Sequence, residues 1–228
     1  DRPLRMTSRG AMRAAYDTVA ADYAALLPDA SFEAPDDVAL IDRFLDLLPS
    51  GARVVDAGCG AGRMLRLMHD RRPDLRTVGI DLSPRMIEQA RAGCPFADLA
   101  VGDLAELPLP ERSAAGLLAW YSVIHAMPDE LAVIAAEFAR VSMPGGVVLL
   151  GFQSGSGTRR IERAYGHDVS LDAVLHDPRD VAATFAALGF EVLEQFERSA
   201  RDGERHAQGF VLARREVSPR DPTAAAGG

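Results

Sequence analysis

Three carboxylates stand where a short apolar run gives way to a turn. They are Asp56 in Val54-Val55-Asp56-Ala57-Gly58, Asp81 in Val78-Gly79-Ile80-Asp81-Leu82 and Asp103 in Val101-Gly102-Asp103-Leu104. A carboxylate attracts cations and accepts hydrogen bonds from hydroxyl and amino groups. After the first of them comes Gly58-Cys59-Gly60-Ala61-Gly62, a turn opening into a helical run. Glycines there let the backbone approach a ligand, and the helix N-terminus offers free N–H groups to an anionic part of it. A plain tight connection would use the same glycines, and each acid taken alone can be a turn residue or a helix cap. Three acids at the carboxyl ends of three successive strands converge on the edge where open α/β sheets bind ligands, which points to a nucleoside site.

The glycine spacing discriminates between ligands. A dinucleotide turn, G-x-G-x-x-G, needs glycine at position 63, where this chain has Arg63. Asp56, two residues before the first glycine, would repel a pyrophosphate and attract ammonium and sulfonium charges. S-adenosylmethionine carries both cations, and its carboxylate can face the helix N-terminus. In that fit Asp81 accepts both ribose hydroxyls, Asp103 accepts from the adenine amino group, and Met86 and Leu104 wall the ring. The run Ala119-Trp120-Tyr121-Ser122-Val123-Ile124-His125 supplies the general-base candidate. His125 titrates near neutral pH and can take a proton from a hydroxyl or ammonium acceptor, or can merely hold the loop. Arg159 and Arg160 can bind a substrate carboxylate or form part of a solvated loop with Tyr165, His167 and His176.

These residues need elements to position them. Ala11 to Leu27 carries Met12, Ala15, Tyr16, Val19, Tyr23, Leu26 and Leu27 at helical spacing, and a second helix runs from Pro35 until Pro49-Ser50-Gly51 breaks it. From Arg53 onward, apolar runs alternate with helical stretches, the signature of a sheet with crossover helices. Strands are expected at 53–57, 77–80, 99–101, 116–121, 147–152, 190–197 and 207–214, with Asp202-Gly203 as the last hairpin turn. Ser83-Pro84 caps one intervening helix. The stretch 153–177, opened by Ser154-Gly155-Ser156-Gly157, lacks periodicity and is expected to be a mobile connection.

The chain has 228 residues, 48% of them hydrophobic and 25% charged, with a net charge of −8. One domain is the natural size, and the negative field disfavours nucleic acid and anionic membranes as partners. All 25 basic residues are arginine, a bias we attribute to the source genome. Cys59 and Cys94 have no partner at metal-ligand spacing, so neither a disulfide nor a metal site is expected. The polar, basic start lacks a signal core, and the expected location is cytoplasmic.

Over roughly residues 12 to 215 the sequence resembles the class I S-adenosylmethionine-dependent methyltransferases, in particular a small-molecule branch with natural-product and quinone-type members. The resemblance rests on Tyr16-Asp17 through Tyr23, Val54 to Gly62, Asp81-Leu82-Ser83, Gly102-Asp103-Leu104, Leu118 to Met127 and Met143-Pro144-Gly145-Gly146. It implies an α/β, Rossmann-like fold: a seven-stranded, mostly parallel sheet of order 3-2-1-4-5-7-6, its last strand antiparallel, with helices on both faces. The single domain then divides into an N-terminal helical cap (11–50), a cofactor-binding core (53–152), a mobile substrate lid (153–177), a C-terminal helix and hairpin (178–215) and a flexible tail (216–228). It also implies that Tyr16 and Tyr23 cover the amino-acid end of the cofactor. The expected cofactor-binding set is Tyr16, Tyr23, Asp56, Ala57, Gly58, Cys59, Gly60, Arg63, Asp81, Leu82, Met86, Gly102, Asp103, Leu104, Trp120 and Tyr121. The expected activity is methyl transfer to an oxygen or nitrogen of a small molecule, by a monomer or weak homodimer. Two rivals stay open at this level: a domain that binds the same cofactor without transferring methyl, and an NAD-dependent oxidoreductase.

Overall fold

The computed structural model describes residues 7–217. Two helices come first, α1 (Arg9–Leu26) and α2 (Pro35–Asp46), joined through a short 3-10 turn at Ala30–Phe32. The alternating part follows as β1 (Arg53–Ala57), α3 (Arg63–Arg71), β2 (Arg76–Asp81), α4 (Pro84–Gly93), β3 (Asp98–Val101), β4 (Ala114–Trp120), α5 (Pro128–Val141) and β5 (Ser142–Gln153). A hairpin, β6 (Thr158–Ala164) and β7 (His167–Val174), precedes α6 (Pro178–Ala187), β8 (Phe190–Arg198) and β9 (Gln208–Arg215). Helices α2, α4, α5 and α6 each begin at proline, whose fixed φ suits the first turn and whose missing N–H is not needed there. Ser83 caps α4 by accepting from the Met86 N–H at 3.0 Å.

The main sheet has the order β3-β2-β1-β4-β5-β9-β8. Setting the separate β6-β7 pair aside, this is the expected 3-2-1-4-5-7-6, with β9 antiparallel to both β5 and β8. The order reverses between β1 and β4, and the crevice at the carboxyl ends of those strands is where such sheets bind ligands. One face of the sheet packs Phe138 and Phe185 of α5 and α6, and the other packs Phe44, Leu45, Leu65 and Met68 of α2 and α3. All six are 0–1% exposed, each contributing about 1.5–3 kcal/mol of transfer free energy. A third, smaller cluster joins α1 to α4 through Val19, Ala20, Ala61 and Met86.

Two local differences from the sequence reading matter. Within residues 153–177, expected to be a mobile connection, Thr158 to Val174 form the β6-β7 hairpin, tied to the rest by Val174 N–H to Ile124 O (2.7 Å) and by His167 to Asp22 of α1 (2.6 Å). Strand β5 also starts five residues early, at Ser142 opposite Ala114, with Met143 to Gly146 forming an irregularity before Val147 pairs with Gly116. The tail lies mostly outside the described residues, as do residues 1–6 of the chain's start.

Candidate functional site

The glycine turn is built for close approach. Gly58 and Gly62 take φ of +85° and +84°, in the left-handed region that a Cβ disfavours. A Cβ on Gly58 would stand 2.2 Å from Ser122 Cβ, and one on Gly62 would stand 2.6 Å from Cys94 Sγ. Gly58 and Cys59 donate backbone hydrogen bonds to Ile80 O at 2.7 and 3.0 Å, so the turn is locked to β2. Asp81, at the end of β2, accepts from Gly60 N–H (2.8 Å) and Ser83 N–H (2.9 Å). Helix α1 is fastened over this turn by Asp17, which accepts from the Ser83 hydroxyl at 2.6 Å.

A cavity of about 340 Å³ opens here. Fourteen of the expected residues line it: Tyr16, Tyr23, Gly58, Gly60, Arg63, Asp81, Leu82, Met86, Gly102, Asp103, Leu104, Trp120, Tyr121 and His125. Asp56, Ala57 and Cys59 stand behind the glycine turn, buried and not on the cavity wall. Burial, then the Asp81 charge, pushes the Asp56 carboxyl up to about 8, and its Oδ2 has no hydrogen-bond partner. Burial also raises Asp81, against the two N–H groups that stabilise its charged form. Asp103 holds the Arg9 guanidinium at 2.7 Å and accepts from Ala105 N–H at 2.9 Å. Arg63 pairs with Glu33, and its Nε is buried without a partner. Trp120 Nε1 and Ser122 Oγ are likewise unpartnered on this wall. Tyr121, between them, sits at φ +57°, a strained backbone for a non-glycine residue.

His125 is buried, and both its nitrogens are engaged. Nδ1 lies 2.6 Å from Asp172 O, a carbonyl that can only accept, so Nδ1 carries the proton and Nε2 accepts from the Tyr16 hydroxyl at 2.7 Å. Burial holds its pKa below the ordinary imidazole value. Tyr23 packs edge-on against Tyr165, ring centroids 5.0 Å apart, so the tip of the β6-β7 hairpin closes the cavity beside α1. His176 is buried on Phe152 and bonded to Val123 O at 3.2 Å, which makes it a structural residue. Sequence reasoning missed Arg9, Glu130 and Gln153, which also line the cavity. Arg9 and Gln153 lie at element ends and Glu130 in a helix's first turn, where no motif marks them.

The site's chemistry fits S-adenosylmethionine on observations independent of sequence likeness. Carboxylates lie beside and behind a glycine cradle that a Cβ would fill, unpartnered donors line the wall, and Met86 and Leu104 add apolar lining. Among the described residues no group of His, Cys, Asp and Glu is arranged to hold a metal, both cysteines are buried free thiols, and no helix is long and apolar enough to cross a membrane.

Residues 54–146 match the family model described as a methyltransferase domain. A trans-aconitate 2-methyltransferase of Variovorax paradoxus is 36% identical over 103 residues, covering 45% of this chain and 39% of that protein. The chain spans between 37% and 53% of the length of the first curated relatives it matches. Among solved structures, the magnesium protoporphyrin IX methyltransferase of Synechocystis PCC 6803 with bound S-adenosylmethionine superposes with TM-score 0.68 at 16% identity, covering 91% of this chain and 97% of that one. The [4+2]-cyclase SpnF superposes with TM-score 0.68 at 20% identity, covering 95% and 98%. These structures share the fold with this chain. The match over residues 54–146 and the sheet order agree with a class I S-adenosylmethionine-dependent methyltransferase domain.

Proposed function

We propose that this chain binds S-adenosylmethionine at the glycine turn and transfers its methyl group to an oxygen or nitrogen of a small-molecule acceptor, as part of the natural-product and quinone-type branch. The observation that carries the reading is the acidic, glycine-cradled cavity at the β1/β4 switch point, with Asp81 on its wall and bonded to the glycine turn. Asp81 is proposed to hold the ribose hydroxyls. Arg63 and the α3 N-terminus would take the carboxylate, and Asp56, protonated in the free chain, would balance the cationic end from behind by giving up its proton as the cation binds. Asp103 would reach the adenine amino group as it exchanges Arg9 for it. S-adenosylmethionine supplies a methyl carbon on positive sulfur, so the attacking atom displaces a neutral thioether and little base strength is required. Tyr16 lines the wall and donates to His125 Nε2, so a proton released by the acceptor can pass through the Tyr16 hydroxyl to His125, the Nδ1–H remaining on Asp172 O. Alignment and exclusion of water by the hairpin supply most of the acceleration. The two free thiols suit a reducing compartment and support a cytoplasmic location, and sheet faces covered by their own helices support a monomer or weak dimer.

The test is calorimetric titration with S-adenosylmethionine, S-adenosylhomocysteine and NAD, on the parent chain and on Asp81→Ala. Micromolar binding of the first two, lost in the variant, is the expected result; binding of NAD alone would overturn it. The fold shared with a [4+2]-cyclase supports one second reading, cofactor binding without methyl transfer. Release of S-adenosylhomocysteine during incubation with a pool of candidate acceptors favours transfer, and cofactor that stays bound and intact throughout favours the second reading.

A further inference from the structure

Beside the cofactor cavity lies a second one of about 530 Å³, between α1 and the inner side of the β6-β7 hairpin. Tyr16, Ile124, Gln153 and Tyr165 line both, so the two chambers meet at those side chains. The size is that of a small-molecule site. Arg159, Arg160, Arg163 and Arg205 stand on its wall, with the exposed Glu162 as the acid among its lining residues. Arg160 is neutralised by Asp172, donating to Oδ1 at 2.8 Å. Arg159 is not: its Nη2 donates to the Gln153 side chain at 3.2 Å, and its Nε is buried with no acceptor. Burial, and after it the charge of Arg205, push the Arg159 guanidinium below its ordinary pKa.

From this geometry we propose that the chamber is the acceptor subsite and takes a small molecule bearing a carboxylate, held by Arg159 and Arg205. The inference rests on the methyltransferase reading and adds the substrate class to it. A buried N–H without an acceptor and two cations brought together are both unfavourable in the free protein, and one carboxylate relieves both by accepting from a guanidinium edge. The charge is local in a chain of net −8, so it is not a general attraction for anions. Gln153 links Arg159 to the wall of the cofactor cavity, so a carboxylate anchored on Arg159 directs the rest of the acceptor toward Tyr16.

The experiment is nitrogen-edited NMR of the arginine Nε–H groups in the full chain saturated with S-adenosylhomocysteine, whose binding is measured calorimetrically on the same samples. The probes are cinnamate and succinate, their amides, and phenyl phosphate. The acids are expected to shift the Arg159 Nε–H and the amides to leave it in place. Binding of the acids should weaken about tenfold in Arg159→Gln and in the exposed Arg205→Gln, with S-adenosylhomocysteine affinity retained. Equal response to the amides, no response to the acids up to tens of millimolar, or preference for phenyl phosphate over the acids would overturn the carboxylate assignment alone. Failure of S-adenosylhomocysteine to bind would instead overturn the underlying function.

Discussion

Gly58→Ala tests the architecture of the glycine turn most directly. At φ +85° an L-residue costs about 1–2 kcal/mol relative to glycine. The new methyl would also lie 2.2 Å from Ser122 Cβ, where carbon atoms in contact normally stand about 3.5–4.0 Å apart, so the two walls must separate by more than an ångström. Overpacking of that kind costs about 1–3 kcal/mol. The expected loss is therefore about 2–5 kcal/mol, a large part of the roughly 5–15 kcal/mol that holds a domain folded. The two contributions separate in the Ser122→Gly background. With Ser122 Cβ gone, the nearest remaining atom among those around the methyl is the residue-122 Cα at 3.5 Å, an ordinary contact. The double variant should recover the overpacking part and keep the φ part, so urea unfolding of the four proteins should give a coupling of about 1–3 kcal/mol. A single-variant loss under about 1 kcal/mol, or no recovery in the double variant, would refute the reasoning.

Other expectations follow from buried polar groups. Arg198 donates to both oxygens of the buried Asp37 at 2.7 and 2.6 Å, so Arg198→Met strands that carboxylate and should cost about 3–5 kcal/mol by urea unfolding, partly restored by Asp37→Asn. Asp56 keeps its proton in the folded chain up to about pH 8, whereas unfolded aspartate loses it near the ordinary value. The folded state thus binds more protons across that window, its stability should fall as pH rises toward 8, and Asp56→Asn should flatten the slope in denaturation curves. Tyr16→Phe leaves His125 Nε2 without its donor and should cost about 1–2 kcal/mol; histidine-selective NMR of the parent should show the Nδ1–H tautomer at His125.

Much of the fold was legible because its signals are local. The glycine turn, the strand-end acids and the Ser83-Pro84 cap each fit within one turn of chain, and strand β1 and helix α4 begin where those patterns place them. The β6-β7 hairpin was not legible. Its first strand, Thr158 to Ala164, has Ile161 as its large apolar residue among arginines and a glutamate, and its turn is Tyr165-Gly166 instead of an Asn-Gly pair. Tyr165 takes φ +50° and Gly166 +85°, the backbone that a two-residue hairpin turn demands whatever its residues.

By itself the sequence determined which elements of the main sheet form and which acids stand at its strand ends, since periodicity, caps and glycine spacing act over a few residues. Tertiary structure alone decided which of those groups are already engaged. Adjacent Arg159 and Arg160 have opposite fates because β7 sets Asp172 opposite Arg160 and leaves the Arg159 Nε without an acceptor. His125 is held from both sides by residues 109 and 47 positions away, and Asp103 by Arg9 from the start of α1. Hydrogen-bond and ion-pair partners brought together by the packing of α1 and the hairpin on the sheet edge are set by distance in space, which spacing along the chain does not encode.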